Sequence, residues 1–261
     1  TAANENRAVF KFVVTDPTPW FNHNVIKNEA SSFNNPDPDN SATIAEALQY
    51  TDWDVIVFQQ ESHTARVSYS SFEHLDELVG YVKSYCPDAR LAIHEVWSWG
   101  SWDTSEYTKI HNNIMTAAEE NDLIVIPTGA AFEEARSALN DYKALNEIDD
   151  EMYQHANKYG QYIAGACYVA KLFGIKIDAN TLTDDTYLND KQTVPTLTAA
   201  VNSIAFVKGD VDNNGILNAD DLVLLRRHLL DSSINIGNFD VNEDNTVDIR
   251  DLVCLKKLLA A

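Results

Sequence analysis

Long apolar runs, basic charge and cysteine are what this sequence has least of. No stretch of 18 apolar residues occurs in its 261 positions, so nothing in it reads as a membrane span. Lysine and arginine number 19 against 40 aspartates and glutamates, a formal net charge of −21. Phosphate backbones and anionic lipid surfaces attract the opposite sign, which argues against nucleic acid and against a membrane surface as partners. Three cysteines, Cys86, Cys167 and Cys254, are too few and too scattered for a disulfide framework or a zinc site. Cys167, in the apolar run 163–169, and Cys254, in a leucine-rich helix, read as small core residues. The chain opens Thr-Ala-Ala-Asn without a basic and apolar leader, so any targeting peptide is expected to be already removed or to lie outside it.

What is present suffices for a packed core. Apolar residues make up 45% of the chain and aromatics 10%, and the length fits one ordinary domain plus a small one. Short β-rich runs fall at 9–14, 55–60, 91–97 and 123–127. Helix-like stretches fall at 43–49, 72–84, 105–120, 130–138, 156–173 and 195–206. Strands rich in Val and Ile that alternate with helices predict an α/β fold, a parallel sheet covered on both faces. The acidic excess sits mainly here: residues 1–207 carry 13 basic and 30 acidic side chains, residues 208–261 carry 6 and 10.

The last 54 residues contain a repeat. Asp210-Val211 recurs as Asp240-Val241, Asp221-Leu222-Val223 as Asp251-Leu252-Val253, and Leu225 and Leu229 as Leu255 and Leu259, all at an offset of 30. Seven identities over 22 positions mark a duplicated supersecondary unit. It follows the preceding helix without a Pro-, Ser- or Thr-rich spacer, so the domains 1–207 and 208–261 are expected to abut.

Each repeat opens with a 12-residue loop that carries oxygen ligands where a calcium loop needs them. Asp210, Asp212, Asn214, the carbonyl of Ile216, Asn218 and Asp221 supply positions 1, 3, 5, 7, 9 and 12 of the first. Asp240, Asn242, Asp244, the carbonyl of Thr246, Asp248 and Asp251 supply those of the second. Two Ca2+ ions are expected, and their +4 would offset the formal −4 of this segment. Position 6 falls on Gly215 and Asn245, residue types that tolerate a positive φ. An apolar helix follows each loop, but 234–239 before Asp240 reads as no helix, and position 12 is Asp rather than Glu.

This combination closely resembles a type I dockerin, an all-α module of two loop-helix (F-hand) repeats by which enzymes of anaerobic fibre-degrading bacteria attach to scaffoldin cohesins. The resemblance implies a secreted, extracellular protein of a cellulosome. It also implies cohesin contacts at loop positions 10 and 11 and on the following helix: Ala219, Asp220, Arg226 and Arg227, then Ile249, Arg250, Lys256 and Lys257. The two 10/11 pairs differ from each other and from the Ser/Thr pairs common in the family.

Three stretches inform on residues 1–207: 53–63 at one strand end, 94–102 at the next, and 149–162 before an Ala-rich helix. In parallel sheets, ligand sites form beyond the carboxyl ends of strands, which is where these polar and aromatic clusters fall. His155, after an acidic loop and before a helix, is the first choice for a catalytic base, or else a capping or surface residue. Trp97, Trp99 and Trp102 offer either a platform for sugar rings or core packing, with Trp97 and Trp99 on one side of an extended strand.

Together these stretches, Trp53-Asp-Val-Ile-Val-Phe-Gln-Gln and His155-Ala-Asn-Lys-Tyr-Gly-Gln-Tyr among them, look like the SGNH-type esterases over residues 40–175. The resemblance implies a flavodoxin-like three-layer sandwich and ester hydrolysis on plant cell-wall polysaccharide. It implies His155 as base, Gln60 (or Gln59) as oxyanion donor, and Glu151 or Asp150 as orienting acid. The family's acid three residues before the histidine is here Met152, and no Gly-Asn-Ser or Gly-Asp-Ser follows the strand 9–14. Ser31, Ser32 and Ser62 lie in other settings. Either the chain is a fragment without its nucleophile strand, or it is a noncatalytic module that stabilises the dockerin or binds glycan.

Overall fold

The computed structural model describes residues 26–27, 41–42, 44–49, 52–102, 104–147, 152–181, 188, 190, 192–212, 216–232, 239–244 and 246–260. The run 9–14, Ser31, Ser32, Asp150, Glu151, Asn214, Gly215 and Asn245 lie outside these residues. Two compact units form, residues 1–56 with 72–91, and residues 57–71 with 92–261.

In the first unit, β1 (Ile26–Lys27) pairs antiparallel with β2 (Ser41–Ala42). Helix α1 (Ile44–Leu48) packs with α3 (Leu75–Tyr85). Leu75, Val79 and Val82 recur at helical spacing and are buried along one face of α3, while Asp76 and Glu77 open it and Lys83 closes it, in line with the helix dipole. Trp53 Nε1 donates to the Ala47 carbonyl at 2.9 Å, and the Cys86 thiol to that of Leu48 at 3.4 Å.

The sheet has the order β3 (Val55–Gln59), β4 (Arg90–His94), β5 (Ile124–Ile126), with β4 and β5 parallel and His94 opposite Ile126. The expected α/β class is therefore present. β4 ends at His94, three residues before the expected end, and its last bond to β5 is Glu95 N donating to the Ile126 carbonyl.

In the second unit, α2 (Ser62–Val67) starts directly after β3, and the periodicity of the sequence did not announce it. Glu61 is its N-cap, accepting from the amides of His63 and Thr64. α4 (Thr104–Asn121) buries Ile110, Ile114, Ala117 and Ala118 on one face. It packs on α2 and β5, while α5 (Thr128–Leu139) packs on α6 (Lys158–Phe173) and α7 (Thr193–Ala205). Gly129 lets the start of α5 approach the end of β4, since a Cβ there would stand 2.6 Å from the Val96 carbonyl. Gly160 does the same for α6 against the Leu145 carbonyl, at 2.4 Å.

α8 (Ala219–Leu230) and α9 (Ile249–Leu258) enclose Val211, Leu225, Phe239, Val241 and Leu255. The buried positions 211, 225, 241 and 255 repeat the offset of 30 seen in the sequence. The loops before these helices carry ion pairs: Lys171 Nζ, near the end of α6, lies 3.8 Å from Asp210 Oδ2, and Glu243 pairs with Lys176 at 3.2 Å and Lys208 at 3.0 Å. All three cysteines are free, and burial pushes the Cys167 thiol up to about 12, which keeps it protonated and inert.

Candidate functional site

The three stretches singled out in the sequence converge beyond the carboxyl ends of β3 and β4. Ser62 Oγ donates to the Trp97 carbonyl at 2.9 Å, Trp97 Nε1 to the Gln154 carbonyl at 2.8 Å, and Gly100 N to the Tyr153 carbonyl at 2.9 Å. Ser101 Oγ adds a bond to the Met152 carbonyl at 2.8 Å. Tyr153 holds a φ of 53°, the left-handed region that a tyrosine seldom adopts. The strained turn is held by these cross-bonds.

His155 follows that turn and is exposed. Its carbonyl accepts from Glu147 N at 2.9 Å. It stands outside the first turn of α6, because the cap is Asn157, whose Oδ1 accepts from Tyr159 N and Gly160 N. Gln60 sits immediately after β3 with Oε1 accepting from Glu61 N at 2.9 Å. Ser62, the serine nearest this strand end, has its hydroxyl proton committed to Trp97. The tryptophans separate rather than sharing one side, since the strand has already ended. Trp97 stacks on Phe132 at 4.6 Å, whereas Trp99 stacks on Trp102 at 4.4 Å.

Two clusters escaped the sequence reading. Glu95, fully buried, accepts from Tyr107 Oη at 2.7 Å and from Ala130 N at 3.1 Å, and meets His111 Nδ1 at 2.7 Å. Tyr107 and His111 stand four residues apart on α4, one helical face, which was the available signal. The hydrogen bond to Glu95 draws the His111 pKa above its ordinary value, although partial burial works against it. His94 goes the other way: burial pushes it down to about 4, against the pull of Glu95. A raised histidine stabilises the fold below its unfolded pKa of about 6.5 and ceases to do so as pH rises through the folded value. A depressed one withdraws stability as pH falls from about 6.5 to about 4. In a ring-proton NMR titration, Glu95→Gln is expected to bring His111 down toward 6.5; an unmoved His111 would show that the pair does not set its charge.

The second cluster is centred on Arg136, buried to 2% exposure. Its guanidinium donates to Glu133 Oε1 at 2.7 Å, Ser98 Oγ and the Ser98 carbonyl at 2.9 Å, and Asn146 Oδ1 at 2.7 Å. Tyr142 Oη donates to Glu133 Oε1 at 3.0 Å and lies 2.7 Å from Ser98 Oγ. One side chain of α5 thus ties the loop after β4 to the loop before α6.

In the first calcium loop, carboxylate oxygens of Asp210, Asp212 and Asp221 lie within 4.8 Å of one another. Oxygens bound to one calcium at about 2.3–2.6 Å stand at most about 5 Å apart, so these donors fit that ion. Asp221 is fully buried and also accepts from Val211 N at 2.6 Å, Asp212 N at 3.3 Å and Asn218 N at 2.8 Å. With Asn218 it forms a capping box that starts α8, and Asp248 with Asp251 does the same for α9. Asn242 N donates to Asp251 Oδ1 at 3.0 Å, the equivalent of Asp212 on Asp221. In the second loop, Arg250 pairs with Asp248 at 2.7 Å and Asp244 at 2.9 Å, so it touches two expected ligands as well as facing solvent. The carbonyl donors Ile216 and Thr246 belong to exposed residues, and Asp240 Oδ1 accepts from Asp244 N at 3.0 Å. All eight expected cohesin-contact residues, Ala219, Asp220, Arg226, Arg227, Ile249, Arg250, Lys256 and Lys257, are exposed. Among the described residues, no helix is long and apolar enough to cross a membrane.

Comparisons with known proteins match two stretches of the chain. Residues 208–260 match the dockerin type I domain, and residues 35–203 match the domain of unknown function DUF4886. A DUF4886 family protein from Bacteroides uniformis has a similar fold, with 22% identity and a TM-score of 0.55 over 62% of this chain and 66% of that one. The chain thus spans just under two thirds of that neighbour. A chain described as a GDSL-like lipase from Parabacteroides merdae aligns more loosely, at 15% identity and a TM-score of 0.36 over 44% of this chain and 58% of that one. No curated protein matches the chain. The C-terminal module implies calcium binding, a cohesin partner and a place in a cellulosome. With 35–203 in one family and 208–260 in the other, the chain belongs to the DUF4886 family and bears a type I dockerin.

Proposed function

We propose that this chain is an extracellular carbohydrate esterase of the SGNH type, delivered to plant cell-wall polysaccharide by its dockerin. The observation that carries the reading is the convergence of the Gln60–Ser62, Trp97–Gly100 and Tyr153–His155 segments at the carboxyl ends of β3 and β4. His155 acts as general base, Gln60 as oxyanion donor, and Glu151 or Asp150 orients the base. The serine nucleophile has no assigned residue in this scheme. In the dockerin, two Ca2+ ions occupy the two loops and brace the starts of α8 and α9. The eight exposed residues on the loops and helices meet the cohesin.

The test is ester hydrolysis by the full-length protein on p-nitrophenyl acetate and acetylated xylan. His155→Ala is expected to lower kcat by about 10²–10⁴-fold, the usual worth of a positioned base. Turnover unchanged by that substitution would sink the assignment. The commitment of the Ser62 hydroxyl to Trp97 favours a second reading, a noncatalytic module that stabilises the dockerin or binds glycan. A protein that turns over neither substrate would select it.

A further inference from the structure

The turn after β4 presents two indoles that stay partly exposed. The sequence 97–102 holds three tryptophans, and the first is absorbed: Trp97 stacks on Phe132 with an interplanar angle of 6° and its Nε1 is bonded to Gln154. Trp99 and Trp102 are different. A turn closed by Trp102 N donating to the Trp99 carbonyl at 3.0 Å brings their rings together at 4.4 Å and 19°. Both stay partly exposed. Exposed His63, at the start of α2, lies 6.0 Å from Trp99 and 6.4 Å from Trp102 by ring centroids. Arg66, one turn later on α2, sits 4.5 Å from the Trp102 centroid.

The donors of this group are idle. Among the described residues, neither Trp99 Nε1, Trp102 Nε1 nor the His63 ring has a hydrogen-bond partner. The carboxylate beside them, Glu106, is shared by two cations, Arg66 at 2.6 Å and Lys109 at 2.6 Å. Packed indoles normally find an acceptor for their N–H when buried, and flat aromatic faces edged by free donors suit the C–H faces and hydroxyl oxygens of a neutral sugar ring. A phosphate or sulfate would have to compete with Glu106 for Arg66 and Lys109.

We propose that Trp99, Trp102 and His63 form a glycan subsite that holds a neutral sugar chain beside the Gln60 and His155 segments. This rests on the reading of the chain as acting on polysaccharide and names how it would hold one. The link is short: Ser62, next to His63, is bonded to Trp97, two residues before Trp99.

The experiment adds xylohexaose, and separately cellohexaose, to the full calcium-loaded chain and follows the indole N–H signals of its five tryptophans by NMR, with calorimetry in parallel. The Trp99 and Trp102 signals are expected to move with added sugar while Trp97 stays still. Trp99→Ala is expected to weaken binding by about tenfold or more. The wild-type spectrum needs no variant, so a misfolded substitution leaves the test intact. Failure of both sugars to move Trp99 or Trp102 would overturn the subsite. So would shifts that depend on protein concentration without sugar, which would assign the rings to contact between copies. The readout is binding, so a protein that hydrolyses no ester still tests the subsite, and turnover without binding would fault the subsite alone.

Discussion

Arg136→Ala is expected to destabilise the folded chain by about 3–5 kcal/mol, the cost of removing one member of a buried charged network. The guanidinium is nearly sealed from solvent and contacts Glu133, both the hydroxyl and carbonyl of Ser98, and Asn146. Truncation leaves the Glu133 carboxylate, only 16% exposed, without its cation and strands two buried oxygens without donors. It also removes a plane resting over the Tyr142 ring at 4.3 Å. Lysine should recover little of this, because one ammonium cannot reproduce a planar fork that reaches Ser98 and Asn146 together. Urea unfolding followed by indole fluorescence measures the loss, and a change below about 1 kcal/mol would show that the network is replaceable. The substitution would also loosen the loops after β4 and before α6, which carry the candidate site.

Removing calcium is the second large effect. The core under α8 and α9 is small, and at this size a hydrophobic core alone seldom suffices. Asp210, Asp212 and Asp221 converge, with Lys171 Nζ 3.8 Å from Asp210. Without the metal, like charges at this spacing repel; with it they become a stabilising cage. At a free calcium concentration about 100-fold above Kd, each bound ion adds about 2.7 kcal/mol, so two would contribute about 5 kcal/mol. EDTA is therefore expected to melt α8 and α9, seen as lost ellipticity at constant pH and a lower Tm, and to abolish cohesin binding. Cohesin binding that survives EDTA would contradict this account. The ion pairs from Arg250 to Asp244 and Asp248 make the second loop the weaker partner in a calcium titration, since its ligands must first release a guanidinium.

How much of this was legible beforehand depended on sequence separation. The calcium loops were readable because every expected ligand of a loop falls within 12 consecutive residues and the two loops share an offset of 30. Helix faces such as Leu75, Val79 and Val82 were readable for the same reason, one local period of burial. The positions expected to meet a cohesin came from the dockerin resemblance, and the structure shows them exposed. By contrast, the partition of Trp97 from Trp99 and Trp102 depended on where β4 stopped, and its last bond, Glu95 N to the Ile126 carbonyl, runs across the sheet to a strand about 30 residues away. α2 escaped because its start is a side-chain cap by Glu61 on a short element without a full apolar face.

The sequence alone determined the type of each half: an α/β arrangement of strands and helices followed by a duplicated calcium module, since both rest on local period and spacing. The tertiary structure decided which residues work together. Glu95 meets His111 from 16 residues away, Arg136 joins Ser98 from 38 away, and Trp97 reaches Gln154 from 57 away. No spacing rule predicts such pairs, because they arise when close-packed elements bring side chains of different strands, helices and loops to one place and burial then requires each polar group to find a partner.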